Sequence, residues 1–288
     1  PGAKVLYLNN SASSLPEGGI GASNTNTGDS PMAPKATLAG ALAAVSAGRG
    51  DIIYVHPDHA ETLTSVTTIS QNNVQIVGIQ VGNKRPTFTI NGAVDLFNLT
   101  GSGILLANLK LTIITTDAAT ALVNVAGANC YLYNLQMIPS TAGGINVVDC
   151  ITLASGANDV VIEKCDLRNT LTAVNSFVSI EAAIARPTFK DNLFFGDAAT
   201  AGFIDGAAAT QMHLVNNTIG TIGTTIPAVI LDANPTGVVD NNRFLGTHTT
   251  IASNAQLGNL VRQARSYVLE ETNNSAQATD IIPAKDVE

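Results

Sequence analysis

One sequence pattern recurs seven times along this chain, and it constrains the fold more than any other feature. In each copy, apolar residues alternate with polar ones up to a turn residue, and another apolar residue follows three positions later. The turn positions are Gly78, Asn108, Asn134, Lys164, Asp191, Asn216 and Asn241. They are separated by 30, 26, 30, 27, 25 and 25 residues. A period in this range predicts a solenoid, in which each repeat is one coil that packs on its neighbours.

A second alternating stretch separates successive copies, as at 95–99 (DLFNL) and 121–125 (ALVNV). No helical period of sufficient length interrupts the repeat, which argues against alternating strands and helices. We therefore predict an all-β chain, a right-handed parallel β-helix of about seven coils with a short N-terminal capping helix. The predicted lining of its apolar bore is Ile104, Leu106, Leu132, Ile162, Phe189, Leu214 and Val239.

Asparagine recurs at the turn position, where the chain must change direction sharply. Asn, like Gly and Asp, tolerates the left-handed backbone that such a bend requires. An Asn at the same corner of successive coils can also form a hydrogen bond with its neighbour. We predict two such ladders, one between Asn108 and Asn134 and one between Asn216 and Asn241.

The ends of a solenoid need covering, because an open strand edge recruits other chains. Residues 1–50 are predicted to form an N-terminal cap, which consists of a strand at 4–8, a loop arm at 9–34 and a helix at 36–47. Residues 51–250 are assigned to the parallel β-helix and residues 251–288 to a C-terminal tail. Within the tail, Tyr267, Val268 and Leu269 are the candidates for contacts with another subunit or a capsid.

Composition limits the partners and the compartment. Charged residues make up only 12% of the chain, and the net charge is -8. Without a Lys/Arg cluster, the chain is a poor candidate for binding nucleic acid or an anionic membrane. The sequence begins with no signal-peptide pattern, and no apolar run approaches the ~18 residues of a membrane span. Cys130, Cys150 and Cys165 fit neither a disulfide framework nor a metal site, so we expect reduced, buried thiols.

An N-terminal motif and one coil resemble a known family. The motif joins the loop at 26–34 (NTGDSPMAP), a helical stretch and 50–61 (GDIIYVHPDHAE). It is similar to the corresponding segment of pectate-lyase-like parallel β-helix proteins. Residues 161–168 (VIEKCDLR) most resemble coils of a phage-encoded group within them, virion structural proteins of decoration or spike type. The resemblance spans about residues 4–250 and implies the fold, which carries lyases, hydrolases, tailspikes and inert decoration proteins alike.

The residues predict no catalytic, metal or cofactor site. A glycosidase needs two carboxylates at a fixed spacing across a sugar groove, whereas acidic residues at turns are common in β-solenoids. Those near predicted corners are Asp149, Asp166, Asp191, Asp205, Asp232 and Asp240. Trp is absent and aromatic residues total 5%, so few rings are present to stack on sugars. His56 and His59 (HPDH) lack a third metal ligand nearby and are expected in a solvent-facing turn.

These features predict an assembly component rather than an enzyme. The resemblance implies a non-enzymatic structural protein of a tailed phage, a trimeric capsid decoration, cement or spike protein made in the host cytoplasm and carried on the capsid surface. Its partners would be further copies of itself and the major capsid protein or another virion protein, because side-by-side packing buries apolar faces. Two alternatives stay open: a tailspike-like polysaccharide depolymerase, acting as lyase or hydrolase, and a module that binds host-surface glycans without cleaving them.

Overall fold

The computed structural model is a stack of short strands that wind around one apolar bore. It describes residues 2–114, 119–139, 147–222, 226–231 and 235–246, and strands at 255–256, 261–264, 267–272 and 275–277. The prediction of an all-β parallel β-helix is confirmed. Within the described residues, Leu38–Leu42 is the single α-helix, with 3-10 turns at Ala12–Ser14 and Gly82–Lys84. No helix in these ranges has the length and apolar character needed to cross a membrane.

Sheet 1 contains ten strands, which follow one another along the stack in sequence order. Neighbouring strands pair in parallel and in a constant register, so that Leu106 lies between Ile76 and Leu132. Each of the seven predicted repeats contributes a strand to this sheet. The strands are Val5–Leu8, Ile52–Val55, Gln75–Gly78, Leu105–Ala107, Tyr131–Tyr133, Val161–Glu163, Thr188–Lys190, Met212–Val215, Gly237–Asp240 and Val261–Ala264.

Sheet 2 carries each coil around the rest of the bore and has two parts. The first part consists of Ala60–Leu63, Thr87–Ile90, Lys110–Ile113, Gln136–Ile138, Asp166–Ile180, Leu193–Asp205, Thr218–Thr221, Arg243–Gly246, Tyr267–Thr272 and Ser275–Gln277. The second part, here called the third strand set, consists of Thr67–Ile69, Phe97–Leu99, Ala119–Val125, Val147–Leu153, Val229–Leu231 and Ala255–Gln256. The long strands Asp166–Ile180 and Leu193–Asp205 bend at a corner and belong to both parts.

Alternate residues of each strand point into the bore and form a continuous core. All seven predicted bore residues are fully buried. Aromatic rings fill the wider places, where Phe189 and Phe203 meet edge to face with centroids 4.7 Å apart. Phe88 and Phe97 make a similar contact at 5.4 Å. Each coil thus contributes a few apolar side chains that are covered only when the next coil stacks on it.

The capping helix is shorter than predicted. Helical spacing suggested residues 36–47, whereas the α-helix spans Leu38–Leu42. Thr37 caps its N-terminus, where its hydroxyl accepts a hydrogen bond of 3.1 Å from the Gly40 amide. Beyond the helix, the amides of Ala44 and Val45 bond to carbonyls three residues back instead of four, so the chain tightens into turns.

The prediction of a tight turn at Gly78 is wrong. Gly78 ends its strand without a left-handed φ, and a loop at 79–86 intervenes before the next strand. Ile79 and Val81 follow the turn position of the repeat, where the other copies have mostly buried residues, but they lie in this loop and are 51% and 50% exposed. Glycine is needed here for another reason, because a Cβ would lie 2.4 Å from the backbone oxygen of Asn108.

The coils continue beyond residue 250, where the sequence pattern fades. Val261–Ala264 extends sheet 1 and Tyr267–Thr272 extends sheet 2, each in parallel with the preceding strand. Tyr267, Val268 and Leu269 therefore pair along one backbone edge with their own chain. Their predicted contact with another subunit stays a prediction, and much of 251–288 lies outside the described residues.

The two histidines of the HPDH segment are buried, while Pro57 and Asp58 between them are partly exposed, which corrects the prediction that the histidines lie in a solvent-facing turn. His56 and His59 are 7% and 1% exposed. The N-terminal arm covers them: the Asn10 amide donates to His59 Nδ1 at 3.1 Å, and the Asn10 side chain bonds to the Ala60 backbone. Burial arises from a part of the chain that is remote in sequence, so local pattern does not reveal it.

Candidate functional site

The four predicted corner asparagines all adopt the left-handed backbone. Their φ angles are 59° at Asn108, 49° at Asn134, 58° at Asn216 and 52° at Asn241. The Asn134 side-chain amide donates to Asn108 Oδ1 at 2.8 Å, and that of Asn241 donates to Asn216 Oδ1 at 2.8 Å. The structure therefore brings together each pair that the repeat spacing places at one corner, and these contacts serve the fold rather than a ligand.

A second asparagine ladder lies one residue further along the chain, inside the bore, and sequence reasoning missed it. Asn192, Asn217 and Asn242 are fully buried. Asn217 Oδ1 accepts from the backbone and side-chain nitrogens of Asn192, at 3.0 and 2.9 Å. Asn242 Oδ1 accepts the same two bonds from Asn217, at 2.8 and 2.9 Å. The equal spacing of these residues along the sequence was the signal available.

The outer face of sheet 1, here called the tyrosine face, is aromatic and aliphatic. Four of the five tyrosines lie on it, namely Tyr7, Tyr54, Tyr131 and Tyr133, and each is half-buried. One outward column in register is Val5, Ile52, Gln75, Leu105, Tyr131, Val161, Thr188, His213 and Val238. The other is Tyr7, Tyr54, Val77, Ala107, Tyr133, Glu163, Lys190, Val215 and Asp240.

Charged side chains on this face are engaged with the tyrosines. The Tyr131 hydroxyl donates to Glu163 Oε2 at 2.5 Å, and this bond lowers the pKa of Glu163. Burial raises the pKa of Tyr131 well above its usual value, and the nearby Glu163 carboxylate adds to the shift. Lys164 Nζ lies 3.2 Å from Glu163 and 5.2 Å from the centre of the Tyr133 ring. The bond to Glu163 orients the Tyr131 ring, and the contact with Lys164 orients the Tyr133 ring.

A groove of about 710 Å³ opens over the last coils of the tyrosine face. Arg186 donates from two nitrogens to Asp159 at 2.6 and 2.7 Å, and this pairing lowers the pKa of Asp159. Thr188, Gln211 and His213 also line the groove. Among its described lining residues, Asp159 is the sole carboxylate, whereas glycoside hydrolysis uses a pair of carboxyl groups.

A polar column lies on the outer side of the third strand set. Asn98, Asn124, Thr152 and Ser179 occupy one register position in four successive coils. Their neighbours in each strand are buried in the bore, so these four side chains point outward. Thr152 and Ser179 are nevertheless only 6% and 8% exposed. Flanking residues therefore shield this outward column closely, and the column is here called the polar recess.

Several oxygen atoms of the polar recess have no hydrogen-bond donor. Asp95 Oδ1, Asn98 Oδ1 and Asn124 Oδ1 are buried and unpaired, although the Asn124 amide donates to Asp95 Oδ2 at 3.3 Å. The hydroxyls of Thr152 and Ser179 make no hydrogen bond within the described ranges. Buried acceptors without a donor are rare in folded proteins and point to a missing partner.

The carboxylates of Asp95, Asp149 and Glu181 lie near this column, and the first two are within electrostatic reach of Glu181. Desolvation raises the pKa of Glu181, and the charges of Asp149 and Asp95 raise it further. Desolvation also raises the pKa of Asp95. Asp149 is buried and accepts hydrogen bonds from Asn175 (3.1 Å) and from the Ser176 hydroxyl. Asp95 and Glu181 escaped sequence reasoning because they belong to strand edges that are far apart in sequence.

The acidic residues predicted near corners do not converge on one site. Asp166 pairs with Arg168 at 2.8 Å on the outside of sheet 2. Asp205 is buried, where it accepts bonds from the turn that follows it, and desolvation raises its pKa. Asp149 alone of the predicted set lies by the polar recess.

The remaining members of that set have other positions. Asp191 Oδ1 accepts a bond of 3.1 Å from Asn216 at the corner. Asp240 lies at the end of a column of the tyrosine face. Asp232 falls outside the described residues.

Metal-ligating side chains are dispersed. Across the part of the chain that the structure describes, no group of three His, Cys, Asp or Glu residues converges on a metal position. Cys130, Cys150 and Cys165 are buried and free. Burial raises the pKa of Cys165 to about 12, so its thiol stays protonated and unreactive at neutral pH.

Comparison with known proteins supports the fold alone. A pectate lyase, Pel9A, superposes with a TM-score of 0.55 at 13% identity, over 99% of this chain and 82% of the lyase. A rhamnogalacturonan lyase superposes with a TM-score of 0.51 at 13% identity, over 85% of this chain and 74% of the lyase. ORF18 of Geobacillus virus E2 aligns over 81% of this chain and 57% of its own at 12% identity, with a TM-score of 0.32 that is too low to define a shared fold. No family model and no curated protein sequence matches the chain.

Proposed function

We propose that this chain is a non-enzymatic structural protein of a tailed-phage particle that assembles as a homotrimer through its tyrosine face. The observation that carries the proposal is the character of that face, whose outward columns are mainly tyrosine, valine and other apolar residues with few charges. Surfaces of this size and composition in soluble proteins mark contacts with other proteins. The coil at 161–168 (VIEKCDLR), which resembles phage-encoded β-helix proteins, supports the assignment to a phage particle.

The dimensions of the tyrosine face suit a stable interface. Ten strands at ~4.8 Å spacing give a height of about 43 Å, and four residues per strand give a width of about 13 Å. The flat area is then about 560 Å², before the relief of the side chains is counted. A standard interface buries about 800 Å² on each partner, and each protomer of a cyclic trimer makes two interfaces, so the surfaces on both sides of this face would have to contribute as well.

The residue types of the face also suit a protein partner. Tyrosine is enriched in protein interfaces because its ring is large and its hydroxyl can still bond at the rim. Glu163, Lys164 and Lys190 form one mixed-charge cluster, which leaves no large unpaired charge to bury. Three parallel rods that share this surface would remove from water the outward columns that contain Leu105 and Val77.

The test is the mass of the protein in solution, measured by size-exclusion chromatography with light scattering. The wild type is expected near three times the chain mass of 29.6 kDa. Val77→Lys combined with Leu105→Lys places two charges on the tyrosine face and should give the monomer mass. Thr87→Lys adds one such charge to the outside of sheet 2 and should leave the trimer intact. A monomeric wild type, or a trimer that tolerates the double substitution, would refute the interface.

Attachment to the particle has a separate test. Deletion of 251–288 was the obvious truncation, but it would remove Val261–Ala264 and Tyr267–Thr272, which belong to the stack. Deletion of 278–288 leaves both strands in place. Under the proposal that the tail holds a neighbour, the shorter deletion lowers binding to purified capsids. Undiminished binding would assign that contact to another part of the chain.

A glycan-binding or glycan-cleaving protein is the second candidate, and the polar recess favours it. Asp95 and Glu181 both have raised pKa values, as a general acid requires, and both lie beside the same polar column. Incubation of the protein with host capsular polysaccharide or lipopolysaccharide tests this function. Shortening of the glycan chains that Glu181→Gln abolishes would establish an enzyme. Saturable binding without products would establish a binding module. If neither chain shortening nor binding is seen, both functions are excluded.

A further inference from the structure

We infer that the polar recess takes a neutral, hydroxyl-rich chain, such as a stretch of neutral glycan laid across the coils, and that it rejects a polyuronate. This inference rests on the second candidate function and specifies its ligand. It is drawn from the chemistry of the side chains on the outer side of the third strand set.

The hydrogen-bonding needs of the recess define the first requirement. Asp95 Oδ1, Asn98 Oδ1 and Asn124 Oδ1 are acceptors that lack a donor. A ligand hydroxyl supplies a donor and, through its oxygen, an acceptor for the free hydroxyls of Thr152 and Ser179. Each satisfied group recovers part of the cost of burying a polar atom without a partner.

The charge of the recess defines the second requirement. The pKa of Glu181 is raised by desolvation and then by Asp149 and Asp95, and no cationic side chain contributes to it. No cationic side chain contributes to the pKa of Asp95 either. Desolvation raises that pKa, and hydrogen bonds with Asn124 and the Ala121 backbone lower it. A ligand carboxylate would enter a field that already disfavours carboxylates. Ligand charge would need a bridging cation, and the described side chains form no three-ligand cluster to hold one.

The spacing of the column suits an extended polymer. Successive residues of the column come from adjacent coils, which are ~4.8 Å apart. A pyranose unit in an extended glycan advances by a similar distance. Asn98, Asn124, Thr152 and Ser179 would then meet successive sugar units along the axis of the stack. The tyrosines lie on a different face, so the recess would bind through hydrogen bonds and not through ring stacking.

The substitutions Thr152→Val and Ser179→Ala remove the two hydroxyls without changing the size of the side chains much. Thr112→Val is the matched control, because Thr112 is equally buried (7% exposed) with an unpaired hydroxyl but lies on the first part of sheet 2. Thermal unfolding of each variant shows whether the fold is retained.

The probe is a glycan array of neutral and uronate-containing bacterial surface oligosaccharides, followed by titration of each hit against the ¹⁵N-labelled protein. The expected result is binding of at least one neutral oligosaccharide that shifts the side-chain amides of Asn98 and Asn124. The double variant Thr152→Val/Ser179→Ala should weaken this binding about tenfold or more, and Thr112→Val should not change it.

Two outcomes would overturn the inference in distinguishable ways. A uronate oligosaccharide that binds and shifts the same two amides would refute the proposed specificity and leave the glycan function standing. The absence of any bound oligosaccharide would refute both the inference and the second candidate function. Neither outcome bears on the trimer, which the mass measurement tests independently.

Discussion

His59 Nε2 lies 3.2 Å from Glu61 Oε2, and both side chains are buried beneath the N-terminal arm. The same Glu61 oxygen accepts a bond of 2.8 Å from the Leu38 amide at the start of the capping helix. The Asn10 amide donates to His59 Nδ1, so the ring proton resides on Nε2 and is donated to Glu61. One hydrogen-bonded cluster therefore ties together the arm, the helix and the first coil of the stack.

This cluster predicts a single histidine tautomer and a large effect of losing Glu61. ¹⁵N NMR at neutral pH should show His59 as the Nε2–H form. Glu61→Ala removes two bonds to a charged acceptor and should lower the free energy of unfolding by about 3 kcal/mol in urea denaturation. His213→Ala removes an exposed ring on the outside of the stack and should have little effect. An Nδ1–H signal for His59 would contradict the assignment.

The two asparagine ladders should differ sharply in their contribution to stability. Asn217→Ala removes the Oδ1 acceptor of the buried Asn192 backbone and side-chain amides and the side-chain donor to the Phe189 carbonyl, at a cost of about 3–5 kcal/mol. Asn216→Gly, one residue earlier, keeps the left-handed backbone and loses only exposed bonds, so the expected change is within about 1 kcal/mol. Urea midpoints of the two variants provide the comparison, and equal losses would argue against the buried ladder.

Asp51 makes stability depend on pH in the acidic range. Its buried carboxylate accepts bonds from Arg49 and from the amides of Lys4 (2.7 Å) and Ser46 (2.8 Å). The bond from Arg49 lowers the pKa of Asp51 far below its usual value. This stabilisation is present above the unfolded pKa of about 3.9 and is lost as pH falls below it.

Asp51→Asn should therefore destabilise the protein by about 3 kcal/mol at pH 7, through loss of the paired charge. The difference from the wild type should shrink as the pH is lowered below about 4, because the unfolded wild-type chain then binds a proton at Asp51 that the folded protein does not bind, and the wild type loses stability. Thermal unfolding of both proteins between pH 2.5 and pH 7 (about ten points) measures the trend. A difference that is constant with pH would mean that Asp51 acts through packing alone.

The pH dependence of stability that arises from Glu181 should have the opposite sign to that from Asp51. Its pKa is raised in the folded protein, so folding favours the protonated form, and its contribution to stability is lost as pH rises from the unfolded value of about 4.3 through the folded value. Glu181→Gln should match the wild type at low pH and be more stable than it at neutral pH. Glu17→Gln, in the exposed arm, controls for the change in net charge. Lower stability of Glu181→Gln at neutral pH would count against a repulsive acidic recess.

The coil architecture could be predicted from sequence because its causes are local and repeated. A left-handed residue is required at each corner, and Asn108, Asn134, Asn216 and Asn241 supply it at a regular spacing. The buried ladder at Asn192, Asn217 and Asn242 has the same spacing. It went unrecognised because an amide inside an apolar bore is expected only once its partners in adjacent coils are known.

The candidate sites depend on contacts that no local pattern contains. His59 is buried by Asn10, and the polar recess places Asp95 and Glu181 from different coils on the same side of the stack. The tyrosine face follows from the register, which places Tyr54 and Tyr131 on one side although they belong to separate repeats. Sequence alone indicated how each coil is built but not which outward surfaces would differ in chemistry.

The constant spacing between successive corners has a consequence for the length of the molecule. Asn192, Asn217 and Asn242 are each 25 residues apart, so excision of one such unit joins two equivalent corners. The product would be shorter by one strand spacing, ~4.8 Å, while its two ends keep their own surfaces. Duplication of a unit would lengthen it by the same step. The separation between whatever the two ends contact is therefore set by counting repeats, and gene-level gain or loss of one repeat can reset it without redesign of either end.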